Sequence, residues 1–419
     1  MAREMKDSGV AWIGKILADW QTDKFSRVAS IKCNLVPPQD YLCYPQISPE
    51  NMEKGSGRLL PCKTVEESGV ISGNHLFYEG QILYSKIRPK LNKVCIAPFS
   101  GLCSADIYPI ESNQNTRFIM YCMLSDSFVG QVAMVTEDRV KMPKINQNEL
   151  GNLLLALPPN RAEQQAIAEY LDRKCAEIDT VLGQIHKSID EYQKLKQAVI
   201  TQAVTKGIRK NRPMKEGGIE WLGEIPADWE VYRGKRLFYE TNERSETGSE
   251  ELLTVSHITG ITPRSQKNVN MFMSESLVGY KVCQVGDIAA NTMWMWQGAI
   301  GVSSYHGVIS PSYNTYRQRK GALNSQYLDY LLRIRPLIDM YNACSTGITA
   351  SRLRLYPEQF LSFKFPVPPM EEQQKIVNYL NDKVGEMDSL IQKKGQYLAE
   401  LESYKKSLIY EYITGKKEV

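Results

Sequence analysis

The sequence has 419 residues, of which 42% are hydrophobic and 23% charged, and its formal net charge is +4. This length allows two or three domains, and the composition is ordinary for a water-soluble globular protein. The chain has no apolar run of about 18 residues that would span a membrane, and its nine cysteines and four histidines form no metal-binding pattern. These features argue against a membrane protein, a disulfide framework and a metal site, and we expect a cytoplasmic protein.

The chain opens with a segment that returns near its middle. Residues 5–20 read MKDSGVAWIGKILADW and residues 214–229 read MKEGGIEWLGEIPADW, and nine of these sixteen positions are identical at an offset of 209 residues. The identities include tryptophans in register, such as Trp20 and Trp229. Because this offset is close to half the chain length, the sequence predicts a duplicated protein.

Residues 1–155 are predicted to form a mixed α/β globule. Short strand-like runs such as residues 81–87 and 93–98 alternate with Gly, Pro and Asn turns. Two of its loops interleave basic and polar side chains, which are the types that bind phosphates and base edges. The candidate DNA-binding residues of this globule are Ser85, Lys86, Arg88, Lys90, Arg139 and Lys141.

Residues 156–213 are predicted to form a long helix and a linker. Pro158 and Pro159 stop any preceding helix, and Asn160 followed by Glu163 predicts a capping box at the helix start. Apolar residues follow at alternating steps of four and three, which is a heptad seam that needs a partner helix. The candidate positions for helix pairing are Leu171, Ile178, Leu182 and Ile189.

The second half repeats this plan, with a globule in residues 214–365 and a long helix in residues 366–419. The helix start again carries Pro-Pro followed by Glu-Gln-Gln, and its seam supplies the second candidate helix. The candidate DNA-binding residues of this globule are Arg264, Lys267, Asn291, Trp296, Gln297, Ser351, Arg352 and Arg354. The candidate pairing residues of the helix are Leu380, Met387, Ile391 and Leu398.

Lysines occupy the two seams at corresponding places, Lys196 in the first helix and Lys405 in the second. In one interpretation their aliphatic stems lie along the seam and their amines reach its edge. In the other they select the register of the two helices, because polar seam residues trade stability for specificity. We favour the first interpretation at this stage.

The two linkers suggest a circular arrangement of the repeat. Nine steps separate Thr205 from Met214, and about ten would separate Thr414 from Met5 if the chain ends were joined. An antiparallel helix pair with a globule at each end gives this pattern. The predicted fold class is therefore α+β (mixed), with two similar α/β globules separated by two long antiparallel coiled-coil helices in a pseudo-two-fold circular repeat.

No catalytic motif is recognisable in the sequence. It lacks a GxxxxGK[ST] phosphate loop, a GxGxxG after a strand, an HExxH helix and the Asn/Asp-Pro-Pro-Tyr loop of enzymes that methylate exocyclic amines. For any single basic loop, a solvated surface loop is an equally good explanation. Similar loops at corresponding places of two diverged globules favour a common binding face.

The repeated motifs resemble the specificity (S) subunit of type I restriction–modification enzymes. The resemblance rests on GIEWLGEIPADW at residues 218–229 and on the Pro-Pro…Glu-Gln-Gln…Ile…Tyr-Leu helix starts at residues 158–171 and 368–380. It covers essentially the whole chain. The first opening segment departs from the pattern at Lys15 and Leu17, where local packing is expected to differ.

The resemblance implies two target recognition domains, each reading one half of a split, asymmetric sequence in the major groove of double-stranded DNA. The helices would set the half-site spacing and dock two methyltransferase subunits, which carry S-adenosylmethionine and methylate adenine N6. Two restriction subunits, where present, would use ATP and magnesium to cleave unmodified DNA. The chain itself would supply specificity without catalysis and would hold no cofactor or metal.

Two other functions remain open from the sequence. A non-catalytic coiled-coil scaffold would bind proteins through its globules and would not touch nucleic acid. An enzyme with an unrecognised site, such as a nuclease with scattered acidic residues, would show metal-dependent turnover by the isolated chain.

Overall fold

The computed structural model describes residues 3–139, 141–267, 276–347 and 353–419. The chain divides into two compact units, Met1–Ile185 with Gly395–Val419 and His186–Lys394. Each unit thus combines one globule with a part of each long helix. The sequence-based boundaries fall at the helix ends, whereas the packing divides both helices because each globule covers the start of one helix and the end of the other.

The first unit contains a four-stranded antiparallel sheet and a five-stranded mixed sheet. The order of the first sheet is Val94–Ile96, Ile82–Ser85, Ile107–Ser112 and Ala29–Ile31. The order of the second is Leu35–Val36, Asn74–Phe77, Gly101–Ser104, Pro45–Ile47 and Lys63–Thr64, and its one parallel pair joins Gly101–Ser104 to Pro45–Ile47. Two further antiparallel pairs are Met5–Asp7 with Lys15–Leu17 and Gln21–Lys24 with Leu154–Leu157.

Short helices cover the sheets of the first unit. The α-helices are Phe25–Val28, Val65–Ser68, Thr116–Leu124, Asp126–Val135 and Gln147–Gly151, and the 3-10 helices are Pro38–Tyr41, Pro49–Asn51 and Pro89–Leu91. Asn115 caps the third α-helix by accepting the Phe118 N–H at 3.0 Å. Among the described residues, no single helix is long and apolar enough to cross a membrane, and only the helices Thr116–Leu124 and Asp126–Val135 taken together, bent by 63°, reach that length and composition.

The second unit keeps the four-stranded antiparallel sheet and replaces the mixed sheet by smaller pairs. The order of its large sheet is Phe238–Thr241, Asn314–Gln318, Ile288–Ala290 and Ile300–Val302. The two-stranded pairs are Met214–Glu216 with Glu224–Pro226, Glu230–Arg233 with Lys364–Val367, Leu253–Ser256 with Gly260–Pro263, and Lys281–Cys283 with Gly307–Ile309. The helices are Gly234–Leu237, Ser325–Leu332, Arg335–Cys344 and Pro357–Ser362, with 3-10 helices at Arg264–Gln266 and Met295–Gln297.

Two long helices, Arg161–Lys206 and Met370–Ile413, are the first and second long helices of the chain. In the first unit the ring of Tyr170 lies 4.5 Å from that of Tyr412, and Lys405 Nζ lies 2.7 Å from Asp179 Oδ1. From residue 170 to residue 179 of the first long helix, the contacted residue of the second long helix goes down from 412 to 405. The two helix segments therefore run antiparallel in this unit. The same holds in the second unit, where Lys196 Nζ lies 2.6 Å from Asp388 Oδ1 and Lys394 Nζ lies 5.6 Å from the ring of Tyr192.

Each unit has its own main hydrophobic core, built from one globule and both helices. The first core joins Trp20 and Phe118 to Leu171 of the first long helix and to Ile409 of the second. The second core joins Trp229 to Ile200 of the first long helix and to Leu380 of the second. The seam residues therefore pack where the heptad pattern predicts an apolar face.

Each unit contains the same cluster of an arginine, a glutamate and a tryptophan, and the two clusters are related by the 209-residue offset. The Glu163 carboxylate contacts Arg3 and accepts the Trp20 Nε1–H at 3.3 Å. Glu372 likewise contacts Arg212 and accepts the Trp229 Nε1–H at 3.1 Å. The repeated Glu-Gln-Gln motif thus fastens the opening segment of each unit to the start of a long helix.

Candidate nucleic-acid interface

Residues 86–93 form a basic loop in the first globule, between the strands Ile82–Ser85 and Val94–Ile96. The 3-10 helix Pro89–Leu91 shapes the loop, and Pro89 is buried beneath it. Arg88 and Lys90 are exposed, whereas Lys86 is half-buried with its Nζ 5.3 Å from the Tyr108 ring. The loop thus holds two exposed cations and one cation fixed over an aromatic ring.

A second loop of the first globule joins the 86–93 loop through backbone hydrogen bonds. The Ile145 N–H donates to Lys86 O at 3.0 Å, and the Arg88 N–H donates to Pro143 O at 2.8 Å. Lys141, which is exposed, lies on this second loop. The structure therefore brings both sequence-predicted basic segments of the first globule to one surface.

Arg139, also predicted to bind DNA, is exposed and paired with a carboxylate of the same globule. Its guanidinium pairs with Glu149 and contacts the Lys144 carbonyl. This hydrogen bond is the main reason why the pKa of Glu149 lies below its usual range. Glu149 also accepts the Asn146 N–H at 2.9 Å, so the pair stabilises the start of the helix Gln147–Gly151. A role for Arg139 in DNA binding stays a prediction.

Residues 292–299 form the corresponding loop of the second globule, between Ile288–Ala290 and Ile300–Val302. The rings of Trp294 and Trp296 stack at 6.1 Å between centroids and 16° between planes. The Trp296 Nε1–H donates to Met293 O at 3.0 Å, which holds its ring in place. Gln297 is half-buried at the end of the 3-10 helix.

The two loops match residue by residue at an offset of 206. The 3-10 helices Pro89–Leu91 and Met295–Gln297 coincide under this shift. The residue that follows each has a positive φ, 44° at Asn92 and 88° at Gly298. Each loop is also closed by an equivalent backbone bond, from Ser85 N–H to Lys93 O and from Asn291 N–H to Ala299 O, both at 2.9 Å. The loops therefore share their length, the 3-10 helix and the closing bond, but the backbone differs at Arg88, where φ is 46°, and at its counterpart Trp294, where φ is −124°.

Ser85 and Asn291 are corrected here to structural residues. Ser85 is 1% exposed and its hydroxyl donates to Ile87 O at 3.2 Å. Asn291 is 5% exposed and its Nδ2 donates to the Tyr313 hydroxyl at 2.9 Å. Because burial and hydrogen bonding occupy both side chains, they hold the two loops in shape and do not present a surface to DNA.

The other predicted residues of the second globule lie in separate segments. Arg264 begins the 3-10 helix Arg264–Gln266. The pKa of Lys267 is lowered, mainly because its amine is partly buried and to a smaller extent because of the nearby positive charge of Arg264. Arg354 is exposed and exchanges two backbone hydrogen bonds of 2.9 Å with Thr346. Ser351 and Arg352 lie outside the described residues.

The predicted docking residues on the long helices face inward. Leu171, Ile178 and Leu380 are buried in the cores of the two units. The remaining ones are half-buried along the seam, namely Leu182, Ile189, Met387, Ile391 and Leu398. Their pairing role agrees with this placement, and contact with a partner subunit stays a prediction.

A second set of apolar residues on the long helices was missed by the sequence reasoning. Val181 and Leu195 are 42% and 48% exposed, and their counterparts at the 209 offset, Leu390 and Tyr404, are 40% and 53% exposed. A repeat-wise comparison of apolar residues outside the seam is the signal that would have found them. We call these four residues the outer apolar positions.

The sequence reasoning also missed the roles of the polar side chains that repeat in the two units, Arg3, Trp20 and Glu163 in the first and Arg212, Trp229 and Glu372 in the second. Asn160 accepts the Glu163 N–H at 2.8 Å as the predicted cap requires, but the Glu163 side chain turns to Arg3 and Trp20 and does not complete the box. Arg3 and Arg212 are themselves related by 209 residues, which was the available signal. Among the described residues, no cluster of three or more His, Cys, Asp or Glu side chains is placed to hold a metal ion.

Comparison with known proteins identifies a matching family model and several similar proteins. The family model described as the type I restriction modification DNA specificity domain matches residues 18–190 and 227–400. The type I restriction enzyme EcoDI specificity subunit of Escherichia coli is 38% identical over 185 residues, which span 44% of this chain and 41% of that protein. The MjaVIII specificity subunit of Methanocaldococcus jannaschii is 25% identical over 336 residues, spanning 76% of this chain and 75% of that protein.

A solved structure has a similar fold. It was described in a study of complex assembly and conformational transition of the type I R-M system, and it aligns with a TM-score of 0.72 at 16% identity. The alignment covers 96% of this chain and 99% of the solved chain. The mixed α/β architecture with two repeated domains and long helices is therefore shared over the full length.

Proposed function

Because the chain belongs to the family of type I restriction–modification DNA specificity proteins, with one matched domain in each globule, we propose that it selects the DNA sequence on which a methyltransferase acts. Each globule reads one half of a split, asymmetric site in double-stranded DNA. The chain supplies specificity without catalysis. It holds no cofactor of its own, and S-adenosylmethionine belongs to the methyltransferase subunits.

The observation that carries this proposal is that the two globules have the same supporting strands but loops with different side chains. The same strand pair presents the 86–93 loop in one globule and the 292–299 loop in the other, with equal length and equivalent hydrogen bonds. Two readers of different sequences need this combination, since the backbone fixes the approach to DNA and the side chains determine which bases are accepted. A symmetric scaffold has no need of different loops.

The long helices are the proposed docking surface for two methyltransferase subunits. The outer apolar positions repeat at 209 residues, so two equivalent sites are available to two copies of one partner. Because the seam residues are occupied by helix pairing, these exposed side chains are the residues that the partner subunits are proposed to contact. Restriction subunits that use ATP and magnesium join this assembly where the host encodes them.

Methylome sequencing of a host that expresses this chain with its methyltransferase subunit tests the proposal. We expect a split, non-palindromic motif with N6-methyladenine in each half. A soluble assembled complex that adds no methylation would overturn the proposal and favour a protein-binding scaffold. A host that expresses the methyltransferase alone is the control, since without this chain no motif is selected.

A further inference from the structure

The two corresponding loops have the same length and closing bond but differ in their charged and aromatic side chains. Residues 86–93 contain four cations, Lys86, Arg88, Lys90 and Lys93, and no acidic residue, and the Lys93 amine donates to Pro49 O at 2.5 Å. Residues 292–299 contain no charged residue, and tryptophans stand where Arg88 and Lys90 stand in the first loop. The electrostatic attraction that the first loop offers to phosphates is therefore missing from the second.

Trp294 is the most exposed part of the stacked pair. Its side chain is 47% exposed, although burial of an indole is strongly favourable. The Trp296 ring lies nearly parallel to it with centroids 6.1 Å apart, and is itself held by the hydrogen bond to Met293 O. The Trp294 ring presents a flat apolar surface to whatever the loop meets.

We propose that the second globule reads its half-site through this apolar surface, with the Trp294 ring packed against a thymine 5-methyl group. The inference rests on the proposed function, which makes DNA the ligand of the loop. On the base edges of duplex DNA, the thymine methyl is the apolar group exposed in the major groove, and aromatic side chains contact it there. The first globule, with Arg88 and Lys90 at the equivalent positions, relies on charge instead.

The two modes of contact differ in their salt dependence. Removing a cation that neutralises a phosphate lowers the slope of log Kd against log salt concentration by about 0.9 per contact. Removing an indole releases no counterion, so the slope stays the same while the affinity falls. Lys86→Ala with Arg88→Ala in the first loop and Trp294→Ala in the second loop separate the two modes.

The test uses the purified complex of the full chain with its methyltransferase subunits and a duplex that carries the motif found by methylome sequencing. We expect Trp294→Ala to weaken binding about tenfold, in the lower range for one lost base contact, with an unchanged salt slope. Scrambling each half-site in turn identifies the half whose loss abolishes this effect, and that half is the one read by the second globule. Trp12→Ala is the matched control, because Trp12 is 48% exposed and lies in the opening segment.

Replacing each thymine of that half-site by deoxyuridine removes only the methyl group. We expect one replacement to weaken binding of the unmodified chain about fourfold, the factor for exposing one methyl group, and to leave binding of the Trp294→Ala variant unchanged. A half-site without thymine, equal losses in both proteins, or a Trp294→Ala variant that binds like the unmodified chain would overturn the inference. Each of these results would leave the proposed function intact, because that function fails only if no methylated motif is found.

Discussion

Two equivalent Arg–Glu–Trp clusters differ in burial at the level of single residues. Glu372 and Arg212 have 3% and 10% of their side chains exposed, whereas Arg3 and Glu163 have 33% and 22% exposed. The hydrogen bond that Arg212 donates to the Glu372 carboxylate raises the pKa of Arg212 above its usual value. If its arginine is removed, the Glu372 carboxylate therefore has less access to water than the Glu163 carboxylate has.

Arg212→Ala is expected to destabilise the second unit by about 3 kcal/mol, because it leaves the buried Glu372 carboxylate uncompensated. The matched variant Arg3→Ala is expected to destabilise the first unit by about 1 kcal/mol, because its partners stay hydrated. Urea unfolding combined with hydrogen exchange of residues 370–377 and 161–168 measures both. Equal losses in the two variants would contradict the role given to burial.

At the level of elements, the seam of the long helices contains two equivalent interhelical ion pairs. Lys405 with Asp179 and Lys196 with Asp388 are related by the 209-residue repeat. Each amine binds a carboxylate of the other helix, and the Asp388 side chain is 52% exposed. This geometry fits both sequence interpretations, amines that reach the edge of the seam and lysines that set the register.

Charge reversal tests the register role. Lys405→Asp places a second carboxylate beside Asp179, in a pair whose side chains are 13% and 20% exposed, and we expect a loss of about 2 kcal/mol in the first unit. Adding Asp179→Lys restores opposite charges and should recover most of the loss. The melting temperature of the single and double variants is the measurement. Failure of the second substitution to recover stability would show that the lysine stem, not the ion pair, matters at this position.

The outer apolar positions and the seam are expected to respond differently when an apolar side chain is replaced by a charged one. Leu195→Asp alters a 48% exposed side chain and should block binding of a methyltransferase subunit while the melting temperature changes little. Leu182→Asp alters a half-buried seam residue that packs against the first core and should lower the melting temperature as well. Size-exclusion chromatography with the co-expressed methyltransferase measures assembly. Normal assembly of Leu195→Asp would exclude this face as the docking surface.

Loop variants complete this comparison. Lys86→Ala should weaken DNA binding by the assembled complex while leaving assembly unchanged, because Lys86 lies on the surface of the first globule and not on a helix. Electrophoretic mobility shift with the methylome-defined duplex measures binding, and the chromatographic profile measures assembly. If Lys86→Ala and Leu182→Asp gave the same profile, the division into reading loops and docking helices would be wrong.

At the level of the whole molecule, each core takes residues that are remote in the sequence. Ile409 follows the second globule in the chain but is buried in the first core, and its counterpart Ile200 follows the first globule but is buried in the second core. Ile409→Ala should therefore destabilise the first unit, and Ile200→Ala the second, each by about 2–5 kcal/mol. Hydrogen exchange mass spectrometry assigns the loss to a unit. Destabilisation of the sequence-adjacent globule instead would refute the division of the helices between the units.

The sequence by itself determined the duplication, the two long helices and their seam. These follow from local signals, since identities at a constant offset, a proline pair with an N-cap and apolar residues at steps of four and three do not depend on distant contacts. Arg88 and Lys90 of the basic loop predicted at residues 85–90 are exposed, and DNA binding by this loop stays a prediction. The mixed α/β class followed from short strand runs between turns.

Only the tertiary structure decided which polar side chains are buried or bonded to other groups of the protein. Ser85 and Asn291 read as surface residues because nothing local distinguishes a buried hydroxyl or amide from an exposed one. Arg139 is held by Glu149, ten residues away, and Glu163 is drawn from its cap by Arg3, 160 residues away. The match of the two loops at an offset of 206 was hidden by the 209-residue repeat around it. Such outcomes depend on packing between segments far apart in the chain, and the sequence carries no local signal for it.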